Sequence, residues 1–574
     1  MNLKKHFLLL AVPLAIIFTP AFSQDAQTNK YPQQYFGWPL QTAPGIAANF
    51  GELRPNHYHM GLDCRTDKKQ NIPVLAAADG YIARVKIEPY GFGRCIYIFH
   101  PNGFTTLYAH LNDFEPALEK YITEQQYKLK SWRVLIDIPA NLFPVKKGQL
   151  IAYSGNTGGS QGPHLHFEIR DTKSDKVLNP LLFGFPLPDN IPPDISRLAL
   201  YDRCISTYEQ TPKFVPLKKT KEGYSTVPDL LTINTDKVSF AIGATDRYNG
   251  SSNANGIFEA RLFDNERPVI YFRIDSISYD ETRFLNAHID YKLRHSGGPF
   301  VQHLSQLPGY TNGIYKKQTG DGVIHIDDDS IHNIRIEVRD AAGNISLLKF
   351  GIKRGLPLTQ KPAADPAARY QQNEFHPGFV NVFENNEIRC LLPEDALYDS
   401  IRFQYSAVAT AAGYPIYRLH HGNVPVQVYF PVSIRANIPK ELSDKVVMFR
   451  FWNNAKDYAK ATNENGWYKA SFREFGNFQL LVDTLPPQIV PLGFKEGMNC
   501  SKLKKLVFVI TDNTEEIKNF SATLDGNWLR FSNDKGRNFV YDFDDRCAPG
   551  THELKLVATD QAGNSTERVY HFTR

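Results

Sequence analysis

Short stretches in which apolar and polar residues alternate, each closed by a turn signal, run along most of this chain. In residues 24–187 they predict strands at Val74–Ala78, Tyr81–Ile87, Cys95–His100, Thr105–His110, Leu150–Ser154 and His164–Arg170. A strand with one buried face repeats its apolar side chains with a period of two. Asp79-Gly80, Asn102-Gly103 and Gly158-Gly159 separate these runs and supply residues that tolerate tight turns. One stretch changes period. Between Phe114 and Trp132, the residues Leu118, Ile122, Leu129 and Trp132 fall on one helical stripe. With Asp113 as its cap, this predicts a helical insertion over 113–132, packed beside the sheet.

The start of the chain is patterned differently. Lys4 and Lys5 precede an apolar run from Phe7 to Phe22, and Ala21-Phe22-Ser23 offers small residues where a signal peptidase reads. This predicts a signal peptide over 1–23 and an exported bacterial protein, in the periplasm or cell envelope or secreted. The run is short for a membrane span and is interrupted by Pro13 and Pro20. No cysteine marks a lipoprotein anchor and no second long apolar run follows. No transmembrane anchor is therefore expected after cleavage.

Beyond residue 187 a repeat sets the organisation. Asp189-Asn190-Ile191-Pro192-Pro193-Asp194-Ile195 recurs as Asp483-Thr484-Leu485-Pro486-Pro487-Gln488-Ile489. Each copy opens a strand-rich segment that closes on a second shared string, Asp340-Ala341-Ala342-Gly343-Asn344 or Asp560-Gln561-Ala562-Gly563-Asn564. Asp-x-Ala-Gly-Asn suits a tight hairpin turn in which glycine takes a positive φ. The reading is mainly β: a catalytic domain over 24–187, Ig-like β-sandwiches over 188–356 and 483–574, and a further β-sandwich over 357–482, with a Pro- and Ala-rich linker at Arg354–Asn373.

Composition narrows this picture. With 574 residues, roughly three to five domains are expected. The 38 Phe and 29 Tyr favour strands. A net charge of +5 without a dense basic block gives no case for nucleic-acid binding. Six cysteines are few for an exported chain of this length. Cys500 with Cys547, and Cys64 with Cys95, are candidate pairs, while Cys204 and Cys390 have no evident partner.

The chemistry concentrates in two strings. His59-Met60-Gly61-Leu62-Asp63 places His59 and Asp63 on one face of a strand, with Gly61 leaving that face open. His164-Leu165-His166-Phe167-Glu168 places its two histidines on one face as well. Side by side, such strands aim three imidazoles and a carboxylate into one pocket. Zinc catalysis needs a set of this kind, with three N/O ligands, an open position and a spare base.

These strings, with Thr106-Leu107-Tyr108-Ala109-His110-Leu111, Gly155-Asn156-Thr157-Gly158 and Gly162-Pro163 before the second histidine string, resemble the lysostaphin/LytM-type zinc metallopeptidases. Phe50-Gly51, Arg54 and Ala78-Asp79-Gly80 also fit. The resemblance covers about residues 35–185, apart from the inserted helix. It implies a compact antiparallel β fold with the duplicated hybrid motif, one Zn²⁺, and hydrolysis of peptide bonds in peptidoglycan stems or cross-links. His59, Asp63 and His166 match the zinc ligands. His110 and His164 match the two catalytic histidines that do not bind metal. The scissile bond is left open, with D-Ala–diaminopimelate cross-links favoured over polyglycine bridges and glycine-rich proteins.

Neighbouring residues read as structural. His57 shares a face with His59 but not the His-x-Gly-x-Asp spacing. Glu168 is expected to support the site without binding metal. His100 is expected to be structural, and Tyr108 fits the cleft lining or the core equally. Cys64 points away from Asp63's face. Two other functions stand beside the peptidase: a non-catalytic activator or scaffold of cell-wall enzymes, and an adhesion protein working through its sandwiches. The sandwiches are also the expected surface for a cell-envelope protein partner. No stacked-aromatic sugar site or calcium-binding string supports adhesion. The proline-rich joints suggest separable modules, so a chain ending near Phe185 is expected to keep its zinc site.

Overall fold

The computed structural model describes residues 31–311, 313–355, 373–411, 413–536 and 538–574. The expected signal peptide and most of the expected linker lie outside the described residues. The chain is mostly β throughout, and among the described residues no helix is long and apolar enough to cross a membrane.

The N-terminal part is built on one antiparallel sheet. Its strands run in the order Ile46–Ala48, Leu62–Arg65, His164–Asp171, Phe104–Ala109, Arg94–Phe99, Gly80–Ile87 and Val134–Asp137. A smaller sheet holds Pro73–Leu75, Leu150–Ser154 and Leu111–Phe114. Register places the chemistry. His166 lies opposite Asp63 on one side and Ala109 on the other, so two distant strings meet across adjacent strands and His110 follows at the end of the third. Five of the six expected strands differ from the observed ones by one to three residues at an end, and Leu150–Ser154 is unchanged.

The helix departs from expectation. It spans Pro116–Leu129 and is capped by Glu115, whose side chain accepts from the Ala117 and Leu118 amides. Asp113 and Phe114 instead belong to the strand Leu111–Phe114, because Phe114 pairs with Ala152 in the smaller sheet. Leu118 and Ile122 are buried, but Leu129 is 61% exposed and Gln126 takes the buried position in the last turns. Arg530 donates to the Gln126 side chain at 3.0 Å, which makes a polar residue suitable there.

The following segments are layered sheets. Residues between Asp194 and Arg354 form a five-stranded and a seven-stranded sheet, and those between Asn381 and Val482 form two five-stranded sheets. Gln488 to Thr573 forms a three-stranded and a five-stranded sheet. The repeated Asp-x-Ala-Gly-Asn strings are hairpin turns, joining His332–Arg339 to Ile345–Arg354 and Thr551–Asp560 to Ser565–Thr573. Gly343 and Gly563 take φ of 98° and 79°, a region open to glycine at little cost. All six cysteines are free thiols, so packing and not cross-linking holds these layers.

The segments are not independent. Val177–Leu178 extends the N-terminal sheet and pairs in turn with Ser276–Ile277. Phe50, Tyr58, Met60 and Val177 pack in one continuous core with residues from Ile195 to Leu480. Asn49 exchanges two hydrogen bonds with Gly256, at 2.7 and 2.9 Å.

Candidate metal centre

Each imidazole at the centre is fixed from behind. The carbonyl of Asn49 lies 2.7 Å from His59 Nδ1. A carbonyl only accepts, so Nδ1 carries the proton and Nε2 carries a lone pair. His166 is fixed the opposite way round. Its Nε2 lies 2.9 Å from Glu168 Oε1, and Glu168 is an ionised acceptor: burial opposes its charge, but Arg170 and His166 outweigh it and hold the acid at about 2. When neutral, His166 therefore keeps its lone pair on Nδ1.

These two lone pairs face each other at 3.1 Å, and both face Asp63 Oδ1, at 2.8 Å from His59 and 3.1 Å from His166. Burial opposes ionising Asp63, yet the facing imidazoles hold it well below the usual carboxylate range. Its other oxygen accepts from Arg54 at 3.1 Å. Burial also opposes charging His166, but the two carboxylates outweigh it and push it up to about 9. The pocket thus draws positive charge to Nδ1, a proton or a metal ion. Adjacent ligands on a tetrahedral zinc at about 2.0–2.1 Å are roughly 3.3 Å apart. The donor set and its spacing fit zinc, and all three residues are buried.

Two more imidazoles line the same space. His164 Nδ1 donates to the Gly162 carbonyl at 2.8 Å, and its Nε2 lies 3.3 Å from Asp63 Oδ1. His110 Nδ1 donates to the Thr157 carbonyl at 2.8 Å, and its ring centre lies 4.8 Å from that of His164 and 5.9 Å from that of His166. Burial first, then the His166 and His164 charges, push His110 down to about 3. It is a neutral ring at neutral pH. His110 also holds a φ of 61°, unusual for a residue with a Cβ and costing on the order of 1–3 kcal/mol. Its amide bond to the Phe92 carbonyl, at 3.0 Å, helps hold that conformation.

All five expected site residues therefore converge. The route differs from the expected one at His59. Only His57–Tyr58 and Leu62–Arg65 are strands, and His59 to Gly61 form an irregular link between them. Gly61 is needed for close approach: a Cβ there would lie 2.5 Å from the Phe167 carbonyl and 2.9 Å from the His166 ring. His57 is exposed and lies 2.8 Å from the Pro55 carbonyl, outside the set of facing ligand atoms. Tyr108 is a core residue whose hydroxyl accepts from Ala77 N. His100 bridges Asp79 and Thr106. Cys64 lies in the core on the far face.

Sequence reading missed several supports. Asn49 and Thr157 act through backbone carbonyls, which no side-chain letter records. Tyr279, from beyond residue 187, donates to Glu168 Oε1. Asp534 and Lys535 reach the rim from the far end of the chain. Asp534 accepts from the Gly158 amide at 2.7 Å, and Lys535 donates to the Ser160 and Pro89 carbonyls at 2.5 and 2.8 Å.

Residues 57–127 and 143–180 match the profile of Peptidase family M23, and residues 372–483 match that of a Zu5-like domain. The M23 match runs into the helix as far as residue 127 and breaks over residues 128–142. The DD-carboxypeptidase/endopeptidase Mpg of Neisseria meningitidis serogroup B is 33% identical over 141 residues, 25% of this chain and 26% of that protein. Peptidoglycan DD-endopeptidase ShyA of Vibrio cholerae is 28% identical over 172 residues, 29% of this chain and 34% of that protein. Murein hydrolase activator NlpD of Salmonella dublin is 32% identical over 146 residues, 25% and 31%. The chain spans about a quarter to a third of the length of these curated relatives. The solved catalytic domain of lysostaphin from Staphylococcus simulans is 25% identical, covering 24% of this chain and 90% of that chain with a TM-score of 0.18. With its histidines and aspartate gathered around one antiparallel sheet, the N-terminal part of the chain is similar to peptidase family M23.

Proposed function

We propose that this chain is a zinc metalloendopeptidase of the bacterial cell envelope, hydrolysing peptide bonds in peptidoglycan stem peptides or cross-links. The observation that carries the reading is the meeting of His59 Nε2, His166 Nδ1 and Asp63 Oδ1 within 3.1 Å of one another, with each imidazole fixed in the tautomer that turns a lone pair inward. A zinc ion held by these three residues would polarise the scissile carbonyl and supply a water nucleophile at neutral pH.

The chain's own residues do the rest. Asn49 and Glu168 lock the two ligand rings, and Arg54 orients Asp63. His110 and His164 each spend Nδ1–H on a backbone carbonyl, which leaves His110 Nε2 for substrate and sets His164 Nε2 beside Asp63 Oδ1, at the edge of the metal position. Between them they accept the proton of the attacking water and stabilise charge on the carbonyl oxygen or the leaving amine. Relatives named for endopeptidase activity, Mpg and ShyA, support this reading. NlpD, named as an activator of murein hydrolases, supports the other one. The presence here of all five residues favours hydrolysis.

Incubation of the full chain with purified sacculi, followed by mass spectrometry of released muropeptides, tests the proposal. Native protein is expected to release peptides, and His59→Ala, Asp63→Ala and His166→Ala to lose zinc and activity together. A zinc-loaded native chain that releases nothing, yet stimulates a separate cell-wall hydrolase, would overturn hydrolysis in favour of activation.

A further inference from the structure

Two clusters of aspartates stand apart from the metal centre and repeat each other. In the first, Asp189 comes from the joint before the strand Asp194–Asp202, Asp246 follows the strand Lys237–Thr245, and Asp340 heads the hairpin turn after His332–Arg339. In the second, Asp483 precedes the strand Gln488–Leu492, Asp512 follows Lys505–Thr511, and Asp560 heads the turn after its own strand Thr551–Asp560. In each cluster one carboxylate oxygen from every member lies within 4.8 Å of the others. The members occupy the same three stations in both segments. Only the outer two belong to the repeated sequence strings, so the fold supplies the middle one independently.

The hydrogen bonding is unequal within each cluster. Asp340 is satisfied by the Gly343 and Asn344 amides and the Asn344 side chain, at 2.7–2.9 Å. Asp560 is satisfied by the Asn564 amide and side chain, both at 2.8 Å. Those asparagine side chains also reach the Asp189 and Asp483 carbonyls, at 3.3 and 3.0 Å, and so tie the turn to the joint. The middle member differs between the two: Asp512 is half-buried and accepts from the Thr514 amide and hydroxyl at 2.8 and 2.6 Å, whereas Asp246 is left alone. Asp246 is 1% exposed, and neither of its oxygens has a hydrogen-bond partner. One buried oxygen each of Asp189, Asp483 and Asp512 is likewise unpartnered. Among the described residues no lysine or arginine forms an ion pair with any of the six. Burial first, then the Asp340 and Asp189 charges, push Asp246 up to about 7. A buried carboxylate without a partner is a costly arrangement that proteins resolve with a counter-charge or a metal.

We propose that each cluster is a binding site for a calcium-class divalent cation, one at the joint into each of the two repeated segments. The donors are all carboxylate oxygens, with no imidazole or thiolate, which selects a hard cation over zinc. Three carboxylates drawn from a joint, a strand end and a hairpin turn give the ion a structural role. It fastens the chain that enters each segment to the end of that segment's sheets and so fixes the segment's angle on what precedes it. This assignment does not depend on the peptidase reading.

Full-length chain, stripped of metals and reloaded with one equivalent of zinc, is titrated with calcium chloride by calorimetry, and its melting is recorded with and without calcium. Two calcium ions per chain and a rise in Tm are expected. Asp246→Asn and Asp512→Asn, which keep side-chain shape, are each expected to lose one ion, and the double variant both. Fewer than two ions on the native chain, or two ions still bound by the double variant, would overturn the proposal. The native-chain stoichiometry decides the matter even where a variant does not fold.

Discussion

The hydroxyl of Tyr279 donates to Glu168, and Glu168 in turn holds His166 Nε2 at 2.9 Å. A residue beyond the peptidase domain thus sets the orientation of a ligand inside it. Groups behind a metal ligand fix its tautomer and raise its basicity, and their loss typically costs ten- to a hundredfold in metal affinity. Glu168→Gln is expected to weaken zinc binding about ten- to a hundredfold, and Tyr279→Phe to weaken it less, since Arg170 still braces Glu168. Competition against a chromophoric chelator measures both. Affinities equal to the native value would show that Glu168 only fills space.

Ending the chain near Phe185 is expected to abolish folding of the metal centre. The truncation removes Ser276–Ile277, the neighbour of Val177–Leu178, and uncovers Phe50, Tyr58 and Met60. Exposing three such side chains costs about 1.5–3 kcal/mol each, against a total stability of roughly 5–15 kcal/mol for a domain. A soluble truncated chain with full zinc occupancy would contradict this, and would restore the separable module that the proline-rich joint at Asp189 suggests.

His110→Ala and His164→Ala are expected to keep zinc and lose about 10²–10⁴ in turnover. At position 110 backbone strain offers a further check. Glycine accepts the left-handed conformation that histidine holds there, so His110→Gly should melt higher than His110→Ala while being equally inactive. A variant of either histidine that folds but no longer takes up zinc would move that residue into the ligand set.

Gly61→Ala tests the close approach at the link between Asp63 and His59. The added methyl would meet the Phe167 carbonyl and the His166 ring. Overpacking of this kind costs about 1–3 kcal/mol, and displacement of His166 is expected to weaken zinc binding as well. Thermal melting and zinc titration read the two effects separately, and native values in both would place this backbone further from His166.

Much of this was legible in the sequence, for identifiable reasons. Short β-rich runs bounded by turn signals set the strands, even where the central ones are buried on both faces, and His164 and His166 kept the parity expected of them. The Asp-x-Ala-Gly-Asn turns were legible because only glycine sits easily at their positive φ. What escaped notice acts through backbone or across distance. The Asn49 and Thr157 carbonyls leave no side-chain signature. Asp113 lost its expected capping role because Leu111–Phe114 found a partner in Leu150–Ser154. Asp246 and Asp512 gave no signal because no contiguous calcium-binding string contains them, and only folding brings them to the repeated joints.

The contacts of Asp534 and Lys535 with Gly158, Ser160 and Pro89 have a consequence in time. Ribosomes deliver the chain from its first residue, so the histidines exist long before the rim they face. The rim is finished only when the last segment has folded and returned to the loop that carries the Thr157 carbonyl. A growing chain, or one clipped between Val482 and Asp534, presents a differently bounded cleft from that of the finished protein. Completion of synthesis is thus written into the shape of the site.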